Sequence, residues 1–325
     1  MPLDNDARRA AFLEEAGWAG ARLSHLAGDA SGRFYSRVAQ GSGETRILMD
    51  VAGVPPQSTT SFIAVADYLR ENGLFPPEIY RLDLDAGLLL IEDFGDDLFA
   101  RRIAARPEDE TELYDLAIDV LEHLQGCSRM PGLACFDPAE AASICDVAFD
   151  WASEQRDPAL KANALAALER LLAEYAPGAT ATALRDFHVE NLVYRDGREG
   201  LARIGLLDFQ DAVIAHPLYD FVSLITDIRR DIGKETLTHA CRRMAKTMRQ
   251  DEQDFFATIS VLSLQRNLRI LGVFNRLAKR DGRDAYLRFV SRVQARLQDA
   301  LGHPALAEIR PLIHRALPQL DGYSG

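Results

Sequence analysis

The first 95 residues carry short apolar runs separated by turn sequences, which is the pattern of an antiparallel sheet. Three runs rich in β-forming residues cover 22–26, 34–39 and 45–50. The linkers between them, G-D-A-S-G and G-S-G-E, are typical turn sequences. Two further runs, near 79–84 and 87–92, flank the turn D-A-G. The pattern therefore predicts five strands, most of them joined by short turns.

One helix interrupts these strands. Apolar residues at helical spacing run from Phe62 to Leu69, and Gly73 follows as a stop signal, which predicts a helix over 60–72. The order β-β-β-α-β-β predicts a small N-terminal lobe over 1–95, in which an antiparallel sheet carries a single helix.

Helical periodicity dominates from about residue 97 onward. A run that begins with Pro107 and acidic residues and ends at Gly126 suits the polarity of a helix at both ends. Strand patterns return only between about 182 and 208. The sequence thus predicts an α+β chain whose larger, mainly helical lobe covers 96–325. Further helical patterns lie near 139–153, 158–175, 217–230, 235–248, 252–269, 284–300 and 304–316.

The β insertion in the helical lobe brings polar side chains together. Its strands, N-L-V-Y and A-R-I-G-L-L, flank the turn R-D-G-R-E-G, whose centre lies midway between Asn191 and Asp208. Antiparallel pairing then places these two residues side by side at the open end of the hairpin. Asp186 lies in the loop that enters the first strand. Two carboxylates and a carboxamide are therefore predicted to converge.

These three side chains suit phosphoryl transfer. Magnesium prefers hard oxygen ligands, usually one or two carboxylates together with substrate phosphates, which Asp208 and the amide oxygen of Asn191 can supply. Asp186 is then left to accept the proton of an attacking hydroxyl. The spacing Asp-x4-Asn, followed by strand-turn-strand and Asp-Phe, is that of a kinase catalytic loop. The alternative is a solvated hairpin whose Asp and Asn are merely common turn residues.

Two polar residues near this loop are given structural roles. His188 is interpreted as a brace that holds the loop by hydrogen bonding. Asp220 lies near the start of an apolar helix, where a carboxylate acts as a cap or a loop anchor. Neither residue is assigned a chemical step.

A second stretch, I-E-D-F-G-D-D at 91–97, spells the Asp-Phe-Gly triplet with which protein kinases hold magnesium. Its aspartate would be Asp93. It precedes Asp186 by more than 90 residues, and no Asp-x4-Asn hairpin leads into it. The spelling is therefore interpreted as a coincidence.

The loop R-D-F-H-V-E-N-L followed by L-L-D-F-Q-D-A resembles the aminoglycoside phosphotransferase-like kinase family, whose usual loop reads H-G-D-x-H-x-x-N. The stretches G-D-A-S-G-R-F-Y-S-R-V and R-I-L-M-D, and the run L-L-D-F-Q-D-A-V-x-x-x-P-x-Y-D-F-V-S-L, resemble its bacterial amino-sugar kinases. These act on the anomeric hydroxyl of N-acetylmuramate and N-acetylglucosamine. The resemblance implies a bilobal protein-kinase-like fold with ATP and Mg²⁺ as cofactors.

The same resemblance assigns roles to residues of this chain. Asp186, in a catalytic loop over 184–191, becomes the catalytic base. Asn191 and Asp208, at the two ends of a hairpin over 191–208, become the magnesium ligands. Leu184 departs from the family because a histidine often opens this loop.

A phosphate-covering loop over 29–37 and a connector strand over 88–94 complete the implied nucleotide site. The connector is expected to bind adenine through its backbone. The usual strand-three lysine falls at Met49 and its glutamate partner falls near Phe62, so both halves of that ion pair are apolar here. Arg33 and Arg37 are predicted to assist the phosphates instead; the alternative is that they are ordinary surface arginines. The predicted nucleotide-binding residues are Ser31, Gly32, Arg33, Arg37, Met49, Glu92 and Phe94.

The acceptor pocket is expected among the helices after 220 and the segment 130–180. The leading prediction is an enzyme that transfers the γ-phosphate of Mg-ATP to a hydroxyl of a small molecule, in particular the anomeric hydroxyl of an amino sugar. The alternatives are an aminoglycoside or small-alcohol phosphotransferase, and a catalytically impaired nucleotide-binding regulator. The candidate acceptor residues are Trp151, Arg156, Asp211, Arg266 and Asn267.

Composition and charge narrow the class of protein. With 37 basic and 49 acidic residues, the formal net charge of −12 argues against a nucleic-acid partner. No apolar run approaches the roughly 20 residues that span a bilayer, so no membrane association is expected. The four cysteines show no C-x-x-C spacing and are expected to be reduced in a cytoplasmic protein. The sequence does not determine the oligomeric state.

Overall fold

The computed structural model describes residues 5–26 and 32–320 of the chain. Its strands are β1 (Arg22–His25), β2 (Phe34–Ala39), β3 (Thr45–Asp50), β4 (Ile79–Asp83), β5 (Leu88–Glu92), β6 (Ala181–Ala183), β7 (Leu192–Tyr194), β8 (Ile204–Leu206) and β9 (Val213–Ala215). Its α-helices are α1 (Asn5–Glu15), α2 (Pro56–Glu71), α3 (Phe99–Ala105), α4 (Glu110–Gly126), α5 (Pro138–Ser143), α6 (Asp146–Trp151), α7 (Pro158–Tyr175), α8 (Tyr219–Ile225), α9 (Lys234–Met248), α10 (Glu252–Asp281), α11 (Val290–Leu301) and α12 (Arg310–Ala316).

The described residues divide into two compact units. The first unit holds the residues up to Arg102 together with Glu190–Asp211, and the second holds Ile103–Val189 and the residues from Ala212 onward. The hairpin at the centre of the predicted metal site therefore belongs to the unit that contains the five-stranded sheet. The predicted boundary near residue 95 stays a prediction.

The sheet of the first unit is antiparallel, with the strand order β1-β2-β3-β5-β4. Successive residues of its strands face opposite sides. On one side, Leu48 of β3 packs in a buried cluster with Phe12 and Trp18 from the N-terminal segment. On the other side, Ile47 of β3 pairs with Ile91 of β5, and both line a cavity. The sheet thus separates an apolar core from a ligand-sized cavity.

The hairpin β7-β8 is fixed to this unit by backbone and ring contacts. Leu192 pairs with Leu206, which places the turn centre where the sequence predicted it. The N–H of Leu206 donates to the carbonyl of Phe75 at 2.9 Å. Phe209, just after β8, stacks on Phe62 of α2 with ring centroids 5.0 Å apart. These contacts hold the open end of the hairpin beside the sheet.

The second unit is organised around α10, which contacts α6, α7, α8 and α11. Gly272 allows a very close approach to α6, because a Cβ there would overlap the backbone nitrogen of Ala148. The Asp251 side chain caps the helix by accepting the N–H of Asp254, and Gly282 ends it with φ 66°. Although α10 has 30 residues, no helix within residues 5–26 and 32–320 is apolar enough over a sufficient length to cross a membrane.

Some predicted helices differ in extent from the observed ones. The pattern over 139–153 forms two short helices, α5 and α6, and α10 continues past the predicted end at 269 to Asp281. Glycine at 272 disfavours helix by about 1 kcal/mol relative to alanine, but the packing of α10 against α6 and α11 outweighs this local preference. The antiparallel sheet, its helix and the mainly helical remainder are as predicted.

Candidate active site

A cavity of about 360 Å³ lies within the first unit, between the sheet and the hairpin. Its apolar wall includes Ile47 and Phe62, and its polar wall combines side chains from the connector after β5 with side chains from the hairpin ends. The structure thereby brings together residues that the sequence assigned to two functions, nucleotide binding and metal binding. Those predicted residues are Arg37, Glu92, Phe94, Asn191 and Asp208.

Asn191 and Asp208 meet at the open end of the hairpin. The Asn191 side-chain amide approaches the Asp208 carboxylate at 3.4 Å, and the N–H of Leu207 donates to the Asn191 carbonyl at 2.9 Å. The Gln210 side chain donates to the other carboxylate oxygen of Asp208 at 2.7 Å. Asp208 itself has a left-handed backbone with φ 56°, a conformation that costs a non-glycine residue about 1 kcal/mol and is common at functional sites.

This pair of side chains fits a magnesium ion that is completed by phosphates. Over residues 5–26 and 32–320, no group of three or more His, Cys, Asp or Glu side chains gathers in a way that could hold a metal ion by itself. One carboxylate and one carboxamide are nevertheless the kind of sparse oxygen set that magnesium uses when phosphate oxygens and waters supply its other ligands. The donor chemistry of Asp208 and Asn191 therefore suits Mg²⁺ bound together with a nucleotide.

Glu92 and Phe94, at the C-terminal end of the connector, make different contacts. The N–H of Glu92 donates to the Glu78 carbonyl at 2.8 Å, and the predicted adenine contact of the Glu92 backbone stays a prediction. Phe94 lines the cavity, with its ring packed against Gly205 of β8 and with the Arg195 guanidinium 4.9 Å from the ring centre. The hairpin thus sets the position of the Phe94 ring.

Asp93, the first residue of the Asp-Phe-Gly triplet, is part of a buried ion pair. Its side chain is 3% exposed and accepts Arg37 Nε at 2.6 Å and the N–H of Gly95 at 2.9 Å. Burial raises the pKa of Asp93, but the hydrogen bonds from Arg37 and Gly95 outweigh burial, so the pKa lies below its usual value. Asp93 is therefore a structural anion.

The arginines predicted to assist the phosphates are both held inside the first unit. Arg37 also donates to Asp96 at 2.8 Å, and its hydrogen bonds to Asp96 and Asp93 raise the pKa of its guanidinium. Arg33 is 1% exposed and donates to Ser58 of α2, so describing it as a surface arginine is wrong. Phosphate binding by either arginine would require these contacts to rearrange, and it stays a prediction.

The remaining residues of the predicted nucleotide site have separate outcomes. Met49 is fully buried on the cavity side of β3, paired with Tyr35 and Leu89. Gly32 has φ 84°, a left-handed conformation that suits glycine. Ser31 lies outside the described residues.

The loop that carries Asp186 belongs to the second unit and is anchored by Asp220 of α8. The buried Asp220 carboxylate accepts the N–H groups of Leu184 at 2.5 Å and Arg185 at 2.9 Å. Burial raises the pKa of Asp220 to about 6, while these two N–H groups act in the opposite direction. The sequence-based interpretation of Asp220 as a loop anchor is thus confirmed.

His188 is nearly fully buried in the same loop. Burial, together with the charges of Arg229 and Arg266, lowers its pKa well below the usual value, so the imidazole is neutral. A neutral buried ring agrees with its exclusion from the chemistry. The predicted bracing hydrogen bond stays a prediction.

The candidate acceptor residues do not form one group. Asn267 is fully buried and donates to the Ser263 carbonyl one turn earlier in α10, and its role as an acceptor ligand stays a prediction. Arg266 is 6% exposed and donates to the Arg185 carbonyl at 2.9 Å, so it contacts the loop that carries Asp186. Sequence spacing gives no signal for this contact, because 81 residues separate the two partners.

The other three candidates have different surroundings. Trp151 is half-buried at the end of α6, where its carbonyl accepts Lys279 Nζ at 2.7 Å. Arg156 is exposed and lines a cavity of about 230 Å³ with Asp150 and other residues of the second unit. Asp211 is exposed and belongs to the first unit. Their predicted roles as acceptor ligands stay predictions.

Comparison with known proteins places the chain in a family. Residues 22–252 match the model of the phosphotransferase enzyme family. An N-acetylmuramate/N-acetylglucosamine kinase of Caulobacter vibrioides is 35% identical over 97% of this chain and 97% of its own. A kinase of the same name from Pseudomonas aeruginosa is 28% identical over 92% of this chain and 89% of its own.

Solved structures resemble the fold. A choline/ethanolamine kinase family protein from Mesorhizobium loti has a TM-score of 0.65 at 15% identity and covers 96% of this chain and 99% of its own. This likeness confirms the predicted bilobal protein-kinase-like fold. The match of the family model and the 35% identity over almost the whole chain together identify the protein as a member of the phosphotransferase enzyme family, and thus as an enzyme that transfers a phosphoryl group to a hydroxyl acceptor.

Proposed function

We propose that this enzyme is an ATP-dependent amino-sugar kinase that transfers the γ-phosphate of Mg-ATP to the anomeric hydroxyl of N-acetylmuramate or N-acetylglucosamine. The observation that carries the proposal is the 35% identity, over 97% of both chains, to a kinase named for these two sugars. The cavity that joins the connector to Asn191 and Asp208 supports it, since a nucleotide kinase needs an apolar base site beside its metal ligands.

The residues that line the cavity would have separate roles in binding the nucleotide and the metal ion. The wall formed by Ile47, Phe62 and Phe94 would enclose the base of the nucleotide. Asn191 and Asp208 would hold the magnesium ion, which supplies charge stabilisation to the phosphates when bound. The left-handed backbone at Asp208 and its hydrogen bond from Gln210 keep that carboxylate in one orientation before the nucleotide arrives.

Asp186 would accept the proton of the attacking hydroxyl. Its side chain is 39% exposed, so a substrate hydroxyl can reach it, while the backbone on its N-terminal side is held by Asp220. A carboxylate in this role supplies general-base assistance and orients the nucleophile. Asp186 lies five residues before Asn191, so a short stretch of chain connects the proposed proton acceptor to one of the two proposed metal ligands.

One experiment tests the proposal against its alternatives. The purified protein is incubated with Mg-ATP and a panel of amino sugars, choline-like alcohols and aminoglycosides, and the products are followed by phosphorus NMR. A sugar 1-phosphate is the expected product. An aminoglycoside phosphate or an alcohol phosphate would replace the proposal with one of its rivals, and ATP binding without turnover on any acceptor would favour a regulator.

The matched variant in this experiment is Asp186→Ala. It is expected to lose turnover by at least about 10³-fold while ATP affinity, measured by calorimetry, changes little, because the side chain acts on the acceptor. Retained turnover would falsify the assignment of Asp186.

A further inference from the structure

Arg185, the residue before Asp186, has an unusual backbone conformation that several hydrogen bonds hold in place. Arg185 has φ 72°, in the left-handed region that non-glycine residues seldom adopt. Such a conformation persists only where the surroundings over-determine it. Here the N–H of Arg185 donates to Asp220, and its carbonyl accepts two donors, Arg266 Nη1 at 2.9 Å and Ser223 Oγ at 3.2 Å.

Arg266 reaches this carbonyl from the middle of α10, where it is 6% exposed. A buried guanidinium is costly unless it is paired and hydrogen-bonded. Its Nη1 binds the Arg185 carbonyl, and its Nη2 lies 3.9 Å from Asp186 Oδ1. One planar group therefore contacts both the peptide that precedes Asp186 and the carboxylate itself.

The geometry separates two possible uses of Arg266. A substrate ligand would present its guanidinium to solvent, whereas this guanidinium is buried and one of its nitrogens is committed to the backbone. The carbonyl of Arg185 belongs to the Arg185–Asp186 peptide plane, so a donor fixed to it limits the directions in which the Asp186 side chain can point.

We propose that Arg266 is a positioning residue for the phosphoryl-transfer step: through the Arg185 carbonyl and the Asp186 carboxylate it holds the proton acceptor in its working orientation. This inference rests on the proposed function, in which Asp186 accepts the hydroxyl proton. It replaces the sequence-based prediction that Arg266 contacts the acceptor.

The test compares Arg266→Met and Arg266→Lys with wild type in steady-state kinetics. A shift of about 1 Å in a reacting group can cost about 100-fold in rate, so Arg266→Met is expected to lower kcat by about that factor with small changes in both KM values. Arg266→Lys keeps the charge but loses the planar fork, so it should recover about 10-fold of that loss. A raised acceptor KM with unchanged kcat would overturn the proposal in favour of a substrate contact.

Two further variants separate positioning from general damage to the fold. Arg280→Met changes an exposed arginine near the end of the same helix, and it should leave kcat unchanged. Ser223→Ala removes the second donor to the Arg185 carbonyl and should lower kcat about 3- to 10-fold. If Arg266→Met does not fold, unchanged kcat in both Arg266→Lys and Ser223→Ala would overturn the proposal.

A structural readout makes the result independent of the acceptor. A crystal structure of Arg266→Met is expected to show the Arg185–Asp186 peptide turned away from its left-handed conformation or the Asp186 carboxylate displaced. An unchanged loop would overturn the positioning role even if activity fell. If wild type phosphorylates none of the amino sugars, the proposed function fails, and the same crystal structure still decides whether Arg266 positions Asp186.

Discussion

Asp93 and Asp208 each precede a phenylalanine, and both line the cavity of the first unit. Asp93 is buried and receives a guanidinium, that of Arg37, at 2.6 Å. Asp208 lies at the open end of the hairpin and accepts hydrogen bonds from the neutral side chains of Gln210 and Asn191. The same dipeptide therefore occurs in two electrostatic settings within one cavity.

The difference shows how partners decide what a carboxylate can do. A guanidinium cancels the charge of the carboxylate that it binds, so a second cation gains little there. Neutral carboxamides orient a carboxylate and leave its charge in place. We therefore expect Asp93 to hold the connector together and Asp208 to be the magnesium ligand, although only the Asp93 segment spells Asp-Phe-Gly.

The largest effect that tests this contrast is expected from Asp208→Asn. Removing the charge while keeping the shape should lower kcat/KM by at least about 10³-fold, since a magnesium ligand contributes several kcal/mol of charge stabilisation. Affinity for ATP should lose its dependence on magnesium, which calorimetric titrations of ATP with and without magnesium measure directly.

The paired control is Asp93→Asn, which alters the other aspartate in the same way. Its magnesium dependence should match that of wild type. If instead Asp93→Asn abolishes the magnesium dependence and Asp208→Asn retains it, the assignment of the two aspartates is reversed.

The second effect concerns stability. Asp93→Ala removes the buried partner of the half-buried Arg37, and it should lower the free energy of unfolding by about 2–3 kcal/mol. This is below the full cost of breaking a deeply buried pair because Arg37 is partly exposed. Urea unfolding measures this change. Asp96→Ala is the comparison: its side chain is 60% exposed, so its loss should be less than about 1 kcal/mol.

The pH dependence of this effect has a defined sign. The pKa of Asp93 is lower in the folded protein than in the unfolded chain, so its contribution is present above the unfolded value of about 3.9 and is lost as pH falls toward the folded value. The stability difference between wild type and Asp93→Asn should therefore narrow as pH falls below about 4. A difference that stays constant or widens in acid would contradict the ion-pair account.

The smallest effect is expected from Gly205→Ala, which tests how the hairpin sets the connector. A Cβ at this position would lie 2.6 Å from two ring atoms of Phe94, so the ring must shift. Overpacking of this kind costs about 1–3 kcal/mol, and we expect a KM for ATP about 3- to 10-fold higher because the ring lines the cavity.

Gly41→Ala is the matched control for this substitution in the same unit. A Cβ at Gly41 would have no neighbour within 4 Å, so KM should be unchanged. An unchanged KM in Gly205→Ala as well would show that the Phe94 ring does not contribute to nucleotide binding.

Sequence patterns predicted the hairpin and its two polar ends because both depend on local rules. The turn sequence fixes where the chain reverses, and antiparallel pairing then dictates which residues come together. The observed register, with Leu192 opposite Leu206, sets Asn191 opposite Leu207, and the side chain of the next residue, Asp208, lies 3.4 Å from the Asn191 amide. Asp220 could be predicted as an anchor because a carboxylate at the start of an apolar helix has few other uses.

The contacts of Arg37 and Arg266 could not be predicted in this way. Arg37 binds Asp93 across 56 residues of sequence, and Arg266 binds the Arg185 carbonyl across 81. No periodicity or spacing relates such partners. Their contacts depend on which strands pair and on where a helix packs against a loop.

The sequence by itself determined the α+β class, the strands of the small sheet and the spacing of Asp186, Asn191 and Asp208, because periodicity, turn residues and short motifs are properties of neighbouring residues. Only the tertiary structure decided that Asp93 is paired with an arginine and which arginine contacts the loop that carries Asp186. These outcomes depend on burial and on long-range pairing, which set the cost of each charge and are not encoded in any short stretch of the chain.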